Sequence, residues 1–560
     1  MIPLYLLVML PVFLATVGYF TPRAVYKHLL IATQLVHFVM VTLTFAQVRD
    51  GGTIRHYVGG WTGGIGIALV ADTLAITLVL LTSALFLLLF LFNYGKRYMD
   101  NVFQFLFILL QAVTIGVFLA GDLFHVYVLV ELGMIAISIL IMYKRDKQAI
   151  YDGLLYVTLN LFGMAFFLLG VGFIYKSLGV LDMSLIAERV HLISDQRGLA
   201  LPYALLLAAI GLKAAILPLF SWLPSAHGAL TAPSVVSAVL SGLQVKVGVF
   251  LFLRMQQMFS GVFQTAPFFF AVALLTAVFG FSIALVHRDV KLILAFSTVS
   301  QIGLIMMGLN AGSEVAYYGS VFHIMNHALF KSLLFITAGV ITHAAGTRDI
   351  TRIRNIAPKA PLFALATVLG ILGITGGPFF NGSVSKYLIQ SGLAGQPGEI
   401  LIYLVNLGTI MVFVKYAQMF LPRIAAAGDG GSSSNAAGSI TSVIADSQAR
   451  AREERIPGRA LAMNAVALLM GGLCVMGGVF AAPLMELLFG HSLPVSGAFY
   501  LDKTVIFVVT LAVGIGLYYG VVHRLKLLVA LREYRPTFNV ICLLFTAFFA
   551  ALLSYTYFFA

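Results

Sequence analysis

Residues 315–342 read VAYYGSVFHIMNHALFKSLLFITAGVIT, and their reading decides the fold. A helix needs about 20 apolar residues to cross the roughly 30 Å of hydrocarbon in a bilayer, and this run exceeds that. Inside it stand Lys331, His323 and His327, with no acid among them. A soluble helix would gather such groups on a wet face opposite its apolar stripe. Here apolar residues surround them, so the stretch is a membrane helix that carries ionisable side chains into oil. The spacing i, i+4, i+8 stacks His323, His327 and Lys331 on one face, at roughly 6 Å per step.

The same pattern recurs along the chain. Its 560 residues are 61% hydrophobic and 10% charged, whereas soluble domains carry about 25% charged residues. Backbone groups in hydrocarbon must satisfy one another, which leaves a polytopic all-α helix bundle. Apolar runs between charge clusters place spans near 2–20, 27–47, 66–94, 102–120, 122–143, 154–176, 201–226, 233–256, 265–287, 290–309, 315–342, 360–394, 400–421, 459–487, 503–530 and 537–558, sixteen in all. The run 360–394 is too long for one crossing and must bend or break. The first run ends at Pro22-Arg23 without a small-residue cleavage site, so it should stay as a helix. Residues 425–458, rich in Gly, Ser, Ala and charge, read as a flexible cytoplasmic loop, with a short surface helix near 440–455 as the competing view.

The net charge of +13 does not point to nucleic acid, because the basic residues sit in short clusters between spans, without a basic face interleaved with aromatics. They serve as topology signals. With the N-terminus outside a prokaryotic cytoplasmic membrane, 22 of the 34 Lys and Arg residues fall in cytoplasmic loops, Lys291 among them, and 7 in outer ones. Five remain within the membrane: Lys213, Lys246, Lys331, Lys386 and Lys415. Cys474 and Cys542 lie far apart in apolar runs and suit neither a disulfide framework nor a metal site.

A lysine or an acid at the centre of a membrane helix costs about 2.5–3.5 kcal/mol on insertion scales, so such groups pair or line a wet path. The fifth span carries a lone Glu131 in HVYVLVELGMIAIS, the seventh carries Lys213 in IGLKAAILPLFSWLP, and the eighth carries Lys246 in LSGLQVKVGVFLFLR. Pro218 should break the seventh span close to Lys213. In the twelfth, Gly376-Gly377-Pro378 should break the helix ahead of Lys386. Two broken helices, each with a lysine nearby, are what a duplicated transporter fold would show. Histidine exchanges protons near neutral pH, so the row His323, His327 and Lys331 suits a relay. Zinc is the rival for a His pair at i, i+4, but HIMNH lacks the glutamate of the zinc-protease motif. The structural alternative makes Glu131 the partner of Lys213 or Lys246 in a buried ion pair, and lets Lys331 and Lys415 snorkel to an interface. His125 and Asp122 sit at the outer mouth of the fifth span, where solvation and function are equally open readings. Neither a dinucleotide-binding GxGxxG after a strand nor a P-loop is present.

Five ordered stretches, GDLFHVYVLVEL, LKAAILPLFSWLPSAHGALTAPSVVSAVLSGLQVKVGVFLFLR, AFSTVSQIG, HIMNHALFKSLLF and GGPFFNGSVSK, resemble the antiporter-like subunits of complex I, membrane-bound hydrogenases and Mrp-type cation/proton antiporters. The resemblance is nearest to the D-type member of the Mrp set. It implies about fourteen core helices with two inverted five-helix repeats, at 102–256 and 265–421, after N-terminal helices at 1–101 and before C-terminal helices at 459–560, two of them extra. It also implies roles: Glu131 and Lys213 as the ion pair of the first half-channel, Lys246 as the connecting lysine, His323, His327 and Lys331 as the central relay, and Lys386 as the terminal lysine. No cofactor, metal or redox centre is expected. Partners would be other membrane subunits, the lipid bilayer, protons, and Na+ or K+ as coupling ion. Where the family often has His, an acid or Gly, and Gly-Phe, this chain has Ser221, Ser225 and Gly382-Ser383. Membership of a redox-driven complex and a passive scaffold are the alternatives.

Overall fold

The computed structural model describes residues 2–61, 64, 66–94, 96, 98–143, 145–228, 232–422, 457–490, 497–522 and 536–559. All but the last two residues of the loop expected at 425–458, and the surface helix considered there, lie outside the described residues. The chain is mostly helical. Fourteen described helices are long and apolar enough to cross a membrane, and two shorter apolar ones, Leu4–Phe20 and Pro361–Thr375, make up the remaining crossings.

In chain order the helices begin with α1 (Leu4–Phe20) and α2 (Arg23–Gly51). Next comes a small antiparallel hairpin, β1 (Ile54–Tyr57) with β2 (Ala68–Ala71), in the register Ile54 to Ala71. This hairpin departs from the all-helical expectation. The third span starts at Thr73 rather than 66, because the Asp72 carboxylate accepts from the Ala75 N–H at 2.9 Å and fixes the helix start. The helices α3 (Thr73–Phe92), α4 (Asn101–Leu119), α5 (Leu123–Ile141), α6 (Lys147–Leu178), the short α7 (Met183–Arg189), α8 (Ala200–Ala214) and α9 (Trp222–Gly228) follow. The eighth span joins α10 (Ser234–Val239), a π-helical turn at Leu240–Gln244 and α11 (Val245–Met258). Then come α12 (Ala266–Val286), α13 (Val290–Leu309), α14 (Glu314–Ala345), α15 (Pro361–Thr375), α16 (Asn381–Ser391) and α17 (Pro397–Tyr416). The C-terminal part holds α18 (Pro457–Val479), α19 (Ala481–Phe489), α20 (Gly497–Gly520) and α21 (Phe538–Phe558). The run expected at 459–487 is thus two helices meeting at Phe480.

Two stretches of this bundle repeat one another. The helix starts Leu123 and Val290, Lys147 and Glu314, and the helix ends Leu178 and Ala345, are each 167 positions apart. So are the N-cap aspartates Asp122 and Asp289, and the left-handed capping glycines Gly179 (φ 68°) and Gly346 (φ 67°). In each stretch the N-cap aspartate forms an antiparallel bridge to an aspartate beyond the long helix, Asp182 or Asp349. Five crossings separate Asp122 from Asp289, an odd number, so the bridges mark opposite faces of the membrane. The second unit is therefore inverted relative to the first.

Candidate functional site

Both expected breaks occur, and by the same local chemistry. A proline ring clashes with the carbonyl four residues earlier, which for Pro218 is Ala214 and for Pro378 is Ile374; α8 ends at Ala214 and α15 at Thr375. Each end is closed by the same pair of bonds. Ala215 N–H donates to Leu212 O and Ile216 N–H to Gly211 O, while Gly376 N–H donates to Gly373 O and Gly377 N–H to Leu372 O. The capping residues Ala215 (φ 57°) and Gly376 (φ 79°) are left-handed. The Trp222 indole N–H bridges back to Leu212 O at 2.6 Å, so the first gap is tied across.

The lysines sit at these ends. Lys213 is the penultimate residue of α8, where the helix carbonyls point outward and favour a cation. Lys386 lies beyond the second break, in α16, and its stem passes 3.5 Å from where a side chain on Gly376 would begin. Its ammonium, buried, has no hydrogen-bond partner among the described residues. The backbone of α11 comes so close to α8 that a Cβ on Gly248 would meet Ala214 N at 2.3 Å. That contact packs the helix that carries Lys246 against the Lys213 end, while Lys246 itself, two residues and about 200° round the helix from Gly248, turns to His327.

From Lys246 the polar line continues directly. Its Nζ donates to Ser241 O in the π-helical turn at 2.5 Å and lies 2.5 Å from His327 Nδ1. The His327 ring is 6.3 Å from the His323 ring. His323 Nδ1 meets Ser385 Oγ at 2.8 Å, next in sequence to Lys386, and its Nε2 meets Gln301 Oε1 at 3.0 Å. All these residues are buried. Because the two histidines aim at different partners, their nitrogens do not converge on a common point as zinc ligands would.

Two expectations need adjustment in detail. The Lys331 ammonium does not continue the histidine stack; it turns to α13, donating to Leu294 O at 2.9 Å and to Ser297 Oγ at 2.5 Å. Lys415 does not snorkel: its buried ammonium donates to Ala284 O at 3.3 Å, to Leu285 O at 2.7 Å and to His287 O, at the end of α12. Glu131 is half-buried on α5, beside an exposed apolar row of Phe124, Val128, Leu132, Ile135 and Ile139. The pair Glu131–Lys213 is not among the ion pairs within 4.0 Å of the described residues, although the two charges act on each other through space. At the outer mouth, Asp122 caps α5 through the His125 N–H at 2.8 Å, and burial raises its carboxyl above the usual range.

The residues that sequence reasoning missed are Gln301, Thr409, Ser385, His227 and Lys291. Gln301 Nε2 donates to Thr409 Oγ1 at 3.1 Å, so it holds His323 in place across α13 and α17. Polar residues on otherwise apolar spans were the available signal, and it is weak for Gln, Ser and Thr.

Residues 120–411, more than half the chain, match the family described as NADH:quinone oxidoreductase/Mrp antiporter, transmembrane. A Staphylococcus aureus (strain N315) protein named as antiporter subunit mnhD2 is 29% identical over 402 residues, covering 70% of this chain and 80% of that protein. Its namesake in strain MRSA252 is 30% identical over 373 residues, covering 65% and 74%. Among solved structures, a chain of the Mrp complex from Dietzia sp. DQ12-45-1b is similar at a TM-score of 0.75 and 24% identity, over 91% of this chain and 99% of that one. A chain of the membrane-bound sulfane sulfur reductase, an archaeal respiratory membrane complex, gives 0.74 and 25% over 91% and 99%. A chain of respiratory complex I from Thermus thermophilus gives 0.70 and 21% over 91% and 100%.

Proposed function

Because the chain belongs to the NADH:quinone oxidoreductase/Mrp antiporter transmembrane family, we propose that it is the proton-translocating membrane subunit of a multisubunit cation/proton antiporter of Mrp type, corresponding to the D-type member of that set. The observation that carries this is the buried row Lys246, His327, His323, Ser385 and Lys386, in which Lys246 meets His327 and His323 meets Ser385 directly and 6.3 Å separates the two histidine rings. A Lys246 ammonium gives its proton to His327 Nδ1; from there it passes along the histidines, with intervening water, toward Lys386. The units at 102–256 and 265–421 act as two half-channels, the first gated by Glu131 and Lys213. When those two close on each other the carboxylate holds the ammonium charged, and when they part the proton moves on toward Lys246. Their separation in this structure is consistent with the parted form. The arginine-rich face around Asp289 and Asp349, with Arg288, Arg348, Arg352 and Arg354, is cytoplasmic, which puts the N-terminus outside the cell membrane. The partners are further membrane subunits, and Na+ or K+ is the counter-ion.

The test is transport in inverted membrane vesicles holding the assembled complex, following the proton gradient on addition of Na+ or K+. Lys246→Ala and Glu131→Gln are each expected to abolish cation-dependent proton movement while the subunits still co-purify. Wild-type rates in both variants would overturn the proposal. The likeness to the sulfane sulfur reductase chain favours a second reading, service in a redox-driven pump. Redox subunits co-purifying with the chain would support that version; small membrane subunits alone would support the antiporter.

A further inference from the structure

We propose that His227 and Lys291 form a side branch of the relay, carrying protons between the Lys331 ammonium and the membrane face on which α13 begins. The inference rests on the proton-conducting reading above and adds to it the path by which that face feeds the line.

His227 lies on α9, just past the first break, and is fully buried. Neither of its ring nitrogens has a hydrogen-bond partner among the described residues. The ring stacks on Phe335, with centroids 4.6 Å apart and planes 15° from parallel. Phe335 is one helical turn beyond Lys331 on α14, which sets the imidazole beside that ammonium on the side toward the α13 start. On the other side is Lys291, buried, with Nζ donating to Ala232 O at 2.7 Å. Both lysines act electrostatically on the His227 ring.

Distances along α13 fix the scale. Lys331 is anchored at Leu294 and Ser297, three and six residues from Lys291, a rise of roughly 5–9 Å. An imidazole with an intervening water spans that gap. Lys291 in turn is two residues from Asp289, which caps α13 at the face and pairs with Arg348 at 2.8 Å. The row from the face inward is therefore Lys291, His227, Lys331.

The bland account makes His227 a packing piece against Phe335. A phenyl ring would fill that slot equally well, whereas a buried polar group left unsatisfied costs about 1–3 kcal/mol. The relay account uses both nitrogens. Lys291 Nζ gives a proton to one ring nitrogen, through water, while the other nitrogen gives its proton to the Lys331 amine. One N–H bond forms as another breaks, the ring stays neutral in its other tautomer, and a ring flip resets it.

The test compares His227→Phe, Lys291→Gln, the double variant and Lys246→Ala in the assembled complex in inverted vesicles. Each branch variant is expected to slow proton movement roughly 100-fold, the lower part of what one proton-transferring side chain contributes. Two links in series fail together, so the double variant is no slower than either single. Imidazole added to His227→Ala restores part of the rate, whereas benzene, which fills the same space without exchanging protons, does not; equal rescue by both overturns the branch. Wild-type rates for His227→Phe and Lys291→Gln alongside an inactive Lys246→Ala overturn the branch and leave the main line standing, and multiplying defects in the double variant overturn it too. Normal transport by Lys246→Ala brings down the proton-conducting reading itself. If His227→Phe does not assemble, Lys291→Gln and imidazole rescue decide the question.

Discussion

Lys246 and Lys415 occupy near-equivalent places in the two inverted units and do different work. Lys246 meets a histidine that can take its proton. Lys415 donates to carbonyl oxygens, those of Ala284, Leu285 and His287, at the end of α12, where helix carbonyls lack intrahelical donors. A hydrogen bond to a charged group contributes about 1.5–3 kcal/mol. Lys415→Met should therefore lower the thermal denaturation temperature of the detergent-solubilised complex while leaving transport per assembled complex near wild type. A transport loss with unchanged stability would show that Lys415 is part of the conduit after all. The membrane lysines were legible in the sequence because an ammonium in oil stands out against apolar neighbours. Lys291 was not, since a lysine between Asp289 and the first apolar residues of a span reads as loop charge, and only the inward turn of its side chain to Ala232 O reveals it. His227 escaped for a related reason: its half-helix follows a break, and the direction it takes there is set by packing on α13 rather than by local pattern.

At the scale of elements, the broken helices were the most legible feature, because the clash of a proline with the carbonyl four residues back is a local rule. What the rule could not supply was the partner that presses on each break. At the first, α11 lies against the end of α8 at Gly248. Gly248→Ala would push the helices apart at a cost of about 1–3 kcal/mol of overpacking and shift the helix that carries Lys246 away from the end of α8. It should reduce proton movement in vesicles more than it reduces assembly, and full activity would argue against any need for that close approach. At the second, α18 crosses the loop so tightly that a Cβ on Gly478 would meet Phe379 O at 2.2 Å. One C-terminal helix thus braces the second break, a role that its own apolar sequence does not announce. Elsewhere in that region α20 packs on α17, and α21 packs on α8 and on α6, where Phe545 meets Phe162 and Phe166 edge-on at 5.1 and 4.8 Å.

For the whole molecule, the arrangement of charge makes a topological prediction. Arg352 lies on the face of the Asp289–Asp349 bridge, and Arg197 on the opposite face, near the end of α7. Both are exposed. In a chain whose Cys474 and Cys542 are replaced by alanine, a cysteine at position 352 should react with a membrane-impermeant maleimide only in inverted vesicles, and one at 197 only in intact cells. The reverse labelling would invert the assignment of sides.

The spacing of 167 residues between the two units has a further consequence. Two inverted copies with identical side chains would present the same chemistry to both faces, so any chemical difference between the faces must come from positions where the copies disagree. Matching by that spacing sets Glu131 against Thr298, and Tyr156, Asn160 and Met164 against His323, His327 and Lys331. At these matched positions the acid stands in one copy, and the two histidines and the lysine stand in the other. Asymmetry of that kind makes the two faces of the bundle chemically distinct.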